Sequence, residues 1–155
     1  MNIRRAEERD MEVIDRLLFQ VAAIHHEGRP DLFKPASKKY TDGQLRALIH
    51  DDSRPIFVAE DGGEVLGYAF CVFQQHIGNN HLTDIKTLYI DDLCVEEKSR
   101  GKHVGTALYN AVLDFARANG CYNVTLNVWS CNESARKFYE SLGLVPQKIG
   151  MEKIL

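Results

Sequence analysis

Residues 95–108, Val-Glu-Glu-Lys-Ser-Arg-Gly-Lys-His-Val-Gly-Thr-Ala-Leu, carry the strongest chemical signal in the chain. An apolar strand-like run enters this stretch and a helical pattern leaves it, with Gly101 and Gly105 between them. The first amides of a helix have no partner inside it, and the helix dipole adds partial positive charge at that end. Glycines there let the backbone approach a ligand closely, and Lys98, Arg100 and Lys102 add cations. Such a stretch can cradle a pyrophosphate. It can equally be a solvated turn with a glycine bend, and spacing alone leaves both readings open. No Gly-Lys-Ser or Gly-Lys-Thr occurs, so this is not a Walker loop, and no G-x-G-x-x-G supports a dinucleotide fingerprint.

Acid–base candidates lie on either side. Asp91 and Asp92 interrupt the apolar run Leu88–Val95. Carboxylates are expensive to bury in a strand, which favours a functional reading. Neighbours on a strand alternate faces, so one of the two should reach a site, and Asp92 is the favoured general base. The competing reading is a bulge with both side chains in water. Tyr139 offers a phenol, near pKa ~10 and so neutral at pH 7. By position alone it is a core or surface aromatic beside Phe138. Tyr139 follows Asn132 by seven residues, about two helical turns, so both can face one ligand. Asn132 also reads simply as a helix cap. Cys94 and Cys131 read as packing residues rather than nucleophiles. Six scattered histidines and four cysteines without C-x-x-C spacing make no metal site, so no metal is expected.

The elements that must position these groups follow from periodicity. Ile3 to Arg5 reads as a short strand. A helix starts near Asp10, with Ile14, Leu17, Leu18, Val21 and Ile24 at helical spacing, and ends at Gly28 and Pro30. Asp10 is its expected cap. A loop with Pro30 and Pro35 follows. A second helix starts at Thr41, where Thr41 and Gln44 have capping-box spacing. Ile56–Ala59 and Val65–Phe73 read as strands joined by a turn at Asp61-Gly62-Gly63. After a connection over 76–84, Thr87–Val95 is a third strand in this run. His103–Asn119 is a helix stopped by Gly120, Val124–Val128 a strand, and Glu133–Leu142 a helix capped by Asn132 and ended by Gly143. The last residues are expected to form a final strand. The order β-α-α-β-β-β-α-β-α-β predicts a mixed α/β sheet, antiparallel in its first part and parallel where a helix intervenes.

Two motifs then resemble those of the GNAT N-acetyltransferase superfamily. Arg100-Gly-Lys-His-Val-Gly105 is similar to its acyl-coenzyme A motif, Q/R-x-x-G-x-G/A, with His103 in place of the middle glycine. Asn132-Glu-Ser-Ala135-Arg-Lys-Phe138-Tyr139-Glu-Ser-Leu-Gly143-Leu144 is similar to the second motif, N-x-x-A-x-x-F-Y-x-x-x-G-F. The resemblance implies a mostly antiparallel sheet whose parallel pair splays apart, with acetyl-CoA in the gap. It implies that Leu93 and Val95 offer backbone groups to the pantetheine arm. Amides of Arg100, Gly101, Lys102, His103, Val104, Gly105 and Thr106 would hold the pyrophosphate. Asn132 would bond the pantetheine and Ala135 leave room beside it. Tyr139 would be the general acid. His25, His26, Glu27, Asp31, Phe33, Asn127 and Trp129 fall where related enzymes wall the acceptor. The implied activity is acetyl transfer to a primary amine, of a small molecule or a protein, by direct attack in a ternary complex. A non-catalytic acyl-CoA-binding sensor of the same fold is the alternative, and a longer acyl chain is a third. The resemblance also makes a homodimer expected.

The composition agrees with that class. At 155 residues, one N-acetyltransferase domain over 1–155 is expected. The chain is 45% apolar and 26% charged, which argues against disorder. Its 19 basic and 22 acidic residues give a net charge of −3, which argues against nucleic-acid binding through bulk charge. The N-terminus has no signal-peptide core, and the longest apolar stretch, around Val65–Phe73, is about half of the ~20 residues that span a bilayer. No membrane partner and a reducing, cytoplasmic location are therefore expected.

Overall fold

Apolar runs, buried on both faces in the central strands, build a five-stranded sheet, and the computed structural model describes residues 1–155. The strands are β1 (Asn2–Arg5), β2 (Ile56–Asp61), β3 (Glu64–Gln75), β4 (Lys86–Val95) and β5 (Asn123–Leu126). The main helices are α1 (Met11–Gly28), α2 (Asp42–Ile49), α3 (Val104–Ala118) and α4 (Glu133–Ser141). Strand order in the single sheet is β1-β2-β3-β4-β5. The first three pairings are antiparallel, and β4–β5 is parallel because α3 carries the chain back across the sheet. This is the expected mixed α/β architecture.

Each face of the sheet has its own core. Ile56, Val58, Tyr68, Phe70 and Cys94 pack with Ile14, Leu17, Leu18 and Leu45 of α1 and α2. Phe57, Ala69, Cys71, Leu88 and Ile90 pack with Val104, Leu108 and Val112 of α3. The turn at Gly62-Gly63 has positive φ at both residues, the geometry that matches a two-residue hairpin to strand twist. Thr41 and Gln44 form the reciprocal capping box that opens α2. Asn132 accepts from the Ala135 amide at 3.3 Å and caps α4.

Three expectations are corrected. Asp10 does not cap α1 with its side chain. Arg4 on β1 takes both of its oxygens at 2.8 and 2.9 Å, and the Glu7 amide donates at 2.8 Å, because a bidentate guanidinium outcompetes helix amides. Val128 lies outside β5, which ends at Leu126. The final strand does not form. Residues 145–155 run exposed, touching the body through an Arg29–Glu152 ion pair. No edge within the same chain takes them up.

Candidate active site

The β3–β4 pairing slips where the carboxylates sit. Phe70 faces Asp92, but Cys71 faces Ile90, so Asp91 is an extra residue on β4. Such a bulge shifts the alternation by one. Leu88 and Ile90 belong to the core under α3, whereas Cys94 belongs to the core under α1. Asp91 and Asp92 consequently turn to the same face, the one carrying α1 and α2. The expectation that only one of them could reach a site fails for this reason. The bulge reading was right in kind, but neither carboxylate is simply in water.

Each aspartate has a tyrosine. The Tyr68 hydroxyl donates to Asp92 at 2.8 Å. The Tyr40 hydroxyl donates to Asp91. Phe70 lies between the two phenol rings, stacked on Tyr40 at 5.4 Å and edge-on to Tyr68 at 4.8 Å. Lys39 completes the surroundings of Asp91, with Nζ 3.0 Å from the carboxylate. Burial dominates Asp92 and pushes its pKa up to about 6, with the Asp91 charge adding to the rise. The Tyr68 bond, the Lys39 charge and the Leu93 amide act in the opposite sense and keep the rise modest. A base near 6 is ionised at neutral pH and still basic enough to take a proton through water.

Tyr139, on α4, is half-buried. Burial raises its pKa first, and the charges of Asp92 and Cys94 add to the effect, so those groups lie within electrostatic reach of its hydroxyl. Its phenol therefore keeps its proton at neutral pH. Its neighbour Phe138 turns instead to the start of α3, where a Cβ on Gly105 would come within 3.0 Å of the ring. Glycine at 105 thus gives the Phe138 ring room to pack closely on the start of α3. The sequence reading assigned that freedom to the phosphate alone.

The loop into α3 has the expected open amides. Those of Gly101, His103, Val104, Gly105 and Thr106 bond to nothing in the chain, and no side chain caps the helix. Lys102 donates only a long bond of 3.4 Å to Ser99. The Arg100 amide is used, at 3.3 Å to Glu97. Gly101 has φ +82°. His103 has φ +61°, the left-handed region that glycine adopts without strain. The imidazole thus occupies a backbone state suited to the motif glycine and leaves its amide free. These donors and the exposed Lys98, Arg100 and Lys102 fit an anionic pyrophosphate.

The loop lies beside the gap in the sheet. Parallel pairing runs from Thr87↔Asn123 to Ile90↔Leu126 and stops at the bulge. Beyond it, β4 continues to Val95 with its outer edge unpaired by strand. Leu93 stands on that free stretch. The Val95 carbonyl already accepts from Gln20 of α1 at 3.0 Å, which leaves less of Val95 for a ligand than expected.

On the acceptor side, His25, Phe33 and Trp129 form an aromatic cluster, with ring centroids 5.0 and 5.1 Å apart. His26 bonds the Phe33 carbonyl at 2.7 Å and anchors this wall. Asp31 is taken by Arg29 at 2.9 Å. Asn127 donates to the Tyr89 hydroxyl at 3.2 Å. Cys131 packs its sulfur against Gly28, where a Cβ would sit only 2.7 Å away. Cys94 is buried, with its thiol pushed up to about 12 by burial, so it is a poor nucleophile at neutral pH. No group of three or more His, Cys, Asp or Glu side chains could hold a metal ion.

Tyr40, Tyr68 and Lys39 were not singled out from the sequence. For Tyr68 a signal existed. A phenol inside the apolar run Val65–Phe73 must find a partner when buried, and the acidic pair on the next strand was the available one.

Residues 20–144 match the model of the Acetyltransferase (GNAT) family. The chain is 29% identical over 144 residues to YhfO, an uncharacterized N-acetyltransferase of Bacillus subtilis, covering 92% of this chain and 89% of that one. It is 30% identical over 115 residues to N-alpha-acetyltransferase 30 of Schizosaccharomyces pombe, covering 74% and 73%. Among solved structures, the tetramutant of the BH1408 protein of Bacillus halodurans superposes with a TM-score of 0.95 at 31% identity, over 100% of both chains.

Proposed function

Because the chain belongs to the Acetyltransferase (GNAT) family, we propose that it transfers an acetyl group from acetyl-CoA to a primary amine, by direct attack in a ternary complex. The observation that carries this is the pairing of a protonated phenol at Tyr139 with the raised-pKa carboxylate of Asp92, within electrostatic reach of each other, in a chain whose α3 loop leaves its amides unpartnered. In this reading the loop amides, with Arg100 and Lys102, hold the pyrophosphate. Asn132, whose carbonyl oxygen caps α4, keeps its NH2 for the pantetheine, and Ala135 gives the arm room. The free β4 edge at Leu93 aligns it. Asp92 receives the proton of the incoming ammonium through water, and Tyr139 protonates the departing thiolate. Buried, high-pKa Cys94 supports direct attack over an acyl-cysteine route.

The experiment is a melting curve with acetyl-CoA, then an amine panel read by thiol release. A native-state ligand at 100 times its Kd adds about 2.7 kcal/mol. An unmoved melting point at saturating acetyl-CoA refutes the reading.

The apolar face of the C-terminal arm supports a homodimer. Val145, Ile149, Met151, Ile154 and Leu155 are all exposed in the single chain, and a second copy would cover them. Sedimentation velocity tests this, and a monomer at all concentrations overturns it. All four cysteines are free thiols, which supports a reducing cytoplasm. No helix is long and apolar enough to cross a membrane.

A further inference from the structure

We propose that Lys39 is a self-acetylation site, modified intramolecularly by the same centre that acts on the external amine. This rests on the acetyl-transfer reading above. Lys39 carries a primary amine into the centre itself. Its Nζ lies 3.0 Å from the Asp91 carboxylate and 3.1 Å from the Asp91 carbonyl oxygen. Asp91 is the bulged residue, next to Asp92 and at the point where β4 and β5 part. The Lys39 charge also acts on Asp92 and on His25, lowering the pKa of both. The amine is therefore bonded beside the candidate base and within electrostatic reach of it and of His25 in the aromatic wall.

Its position is held by its neighbour. Tyr40 is pinned through its ring on Phe70 and its hydroxyl on Asp91. The backbone at 39 is thus fixed beside β4 while the Lys39 side chain stays partly exposed and able to swing. Other lysines are placed differently. Lys38 is tied between Asp15 and Asp42. Lys86 lies over Phe73 and bonds the Asn119 carbonyl. A tethered nucleophile has a high effective concentration, which an external amine must supply by binding.

The step balances. The ammonium of Lys39 first gives a proton to Asp91, which releases it to water. The Nζ lone pair then forms the N–C bond to the acetyl carbonyl carbon, and the C–S bond breaks. The sulfur leaves as thiolate and takes the Tyr139 proton, while the nitrogen gives its second proton to water, and water returns a proton to Tyr139. The products are an amide at Lys39, free coenzyme A thiol and one proton. The amide carries no charge, so the cation covering Asp91 is gone and its carboxylate is open to a cationic acceptor.

The test uses the full chain, confirmed unmodified by intact mass, incubated with isotope-labelled acetyl-CoA. Occupancy of each lysine is followed by peptide mass spectrometry, at two protein concentrations. Acetyl-CoA binding is checked in parallel by melting. The expected result is labelling of Lys39 at least about tenfold faster than of exposed Lys34 and Lys148, as proximity predicts. Its rate should be independent of protein concentration and fall to their background in Tyr139→Phe and Asp91→Asn. Binding without preferential Lys39 labelling overturns the inference alone. A rate that rises with protein concentration overturns its intramolecular form. Absence of binding overturns the acetyl-transfer reading itself.

Discussion

Replacing Asp92 with asparagine should stabilise the fold while disabling the chemistry. Burial lifts this carboxyl from an ordinary 3.8 to about 6. That difference corresponds to roughly 3 kcal/mol between its two protonation states, at about 1.4 kcal/mol for each factor of ten. The sign follows from proton uptake. Between pH 4 and 6 the folded chain holds a proton here that the unfolded chain has released, so this group's contribution to stability falls as pH rises through that window. Above it the full cost of the buried charge is present. Asparagine keeps the shape and still accepts the Tyr68 hydroxyl bond, but it never ionises. Its amide nitrogen needs a new partner, so the net gain at pH 8 should be roughly 1–3 kcal/mol. For a chain of this size that is a melting-point rise of about 2–12 °C. The assay is a pair of melting curves at each of several pH values from 4.5 to 8. The difference between variant and wild type should grow from near zero at the acid end to its maximum by pH 7–8. Turnover should fall by ~10²–10⁴-fold, with acetyl-CoA affinity retained. A variant less stable at pH 8, or a stability difference that ignores pH, would refute the claim that Asp92 is held as a costly charge.

Tyr139→Phe should lower turnover by ~10²–10⁴-fold with acetyl-CoA affinity near wild type. Equal losses in both, from steady-state kinetics and calorimetry, would make it a binding residue. His103→Gly should raise stability, by about 1 kcal/mol, because a left-handed backbone costs a residue with a Cβ that much, and acetyl-CoA binding should persist. A large loss of affinity would mean the imidazole itself contacts the ligand. Gly105→Ala should destabilise the chain by about 1–3 kcal/mol, since its methyl meets Phe138 at 3.0 Å. Truncating that ring in Gly105→Ala/Phe138→Leu should recover part of the loss in denaturant melts, and no recovery would show that the contact is not the cause.

Local signals were legible in the sequence. The capping box of Thr41 and Gln44, the Asn132 cap, the Gly62-Gly63 hairpin and the open amides around Gly101 and Gly105 each depend on residues a few positions apart. Their geometry is decided by bonds within one turn of chain, so composition and spacing suffice. The long-range features were not. The Asp91 bulge depends on how β4 registers against Phe70 and Cys71 of β3, and a one-residue slip moves every later side chain to the other face. Strict alternation therefore separated Asp91 from Asp92, and only the paired strands put both on the α1 side. Asp10 has the sequence position of a cap, but Arg4 on β1 claims it across the fold. The C-terminal residues have apolar content suited to a strand, yet a strand forms only by pairing with an edge, and this segment pairs with none in the single chain. Sequence thus determined the conformations that neighbours along the chain can enforce. Tertiary structure decided which charges are buried and who partners them, because desolvation and pairing depend on what distant elements bring to the same point.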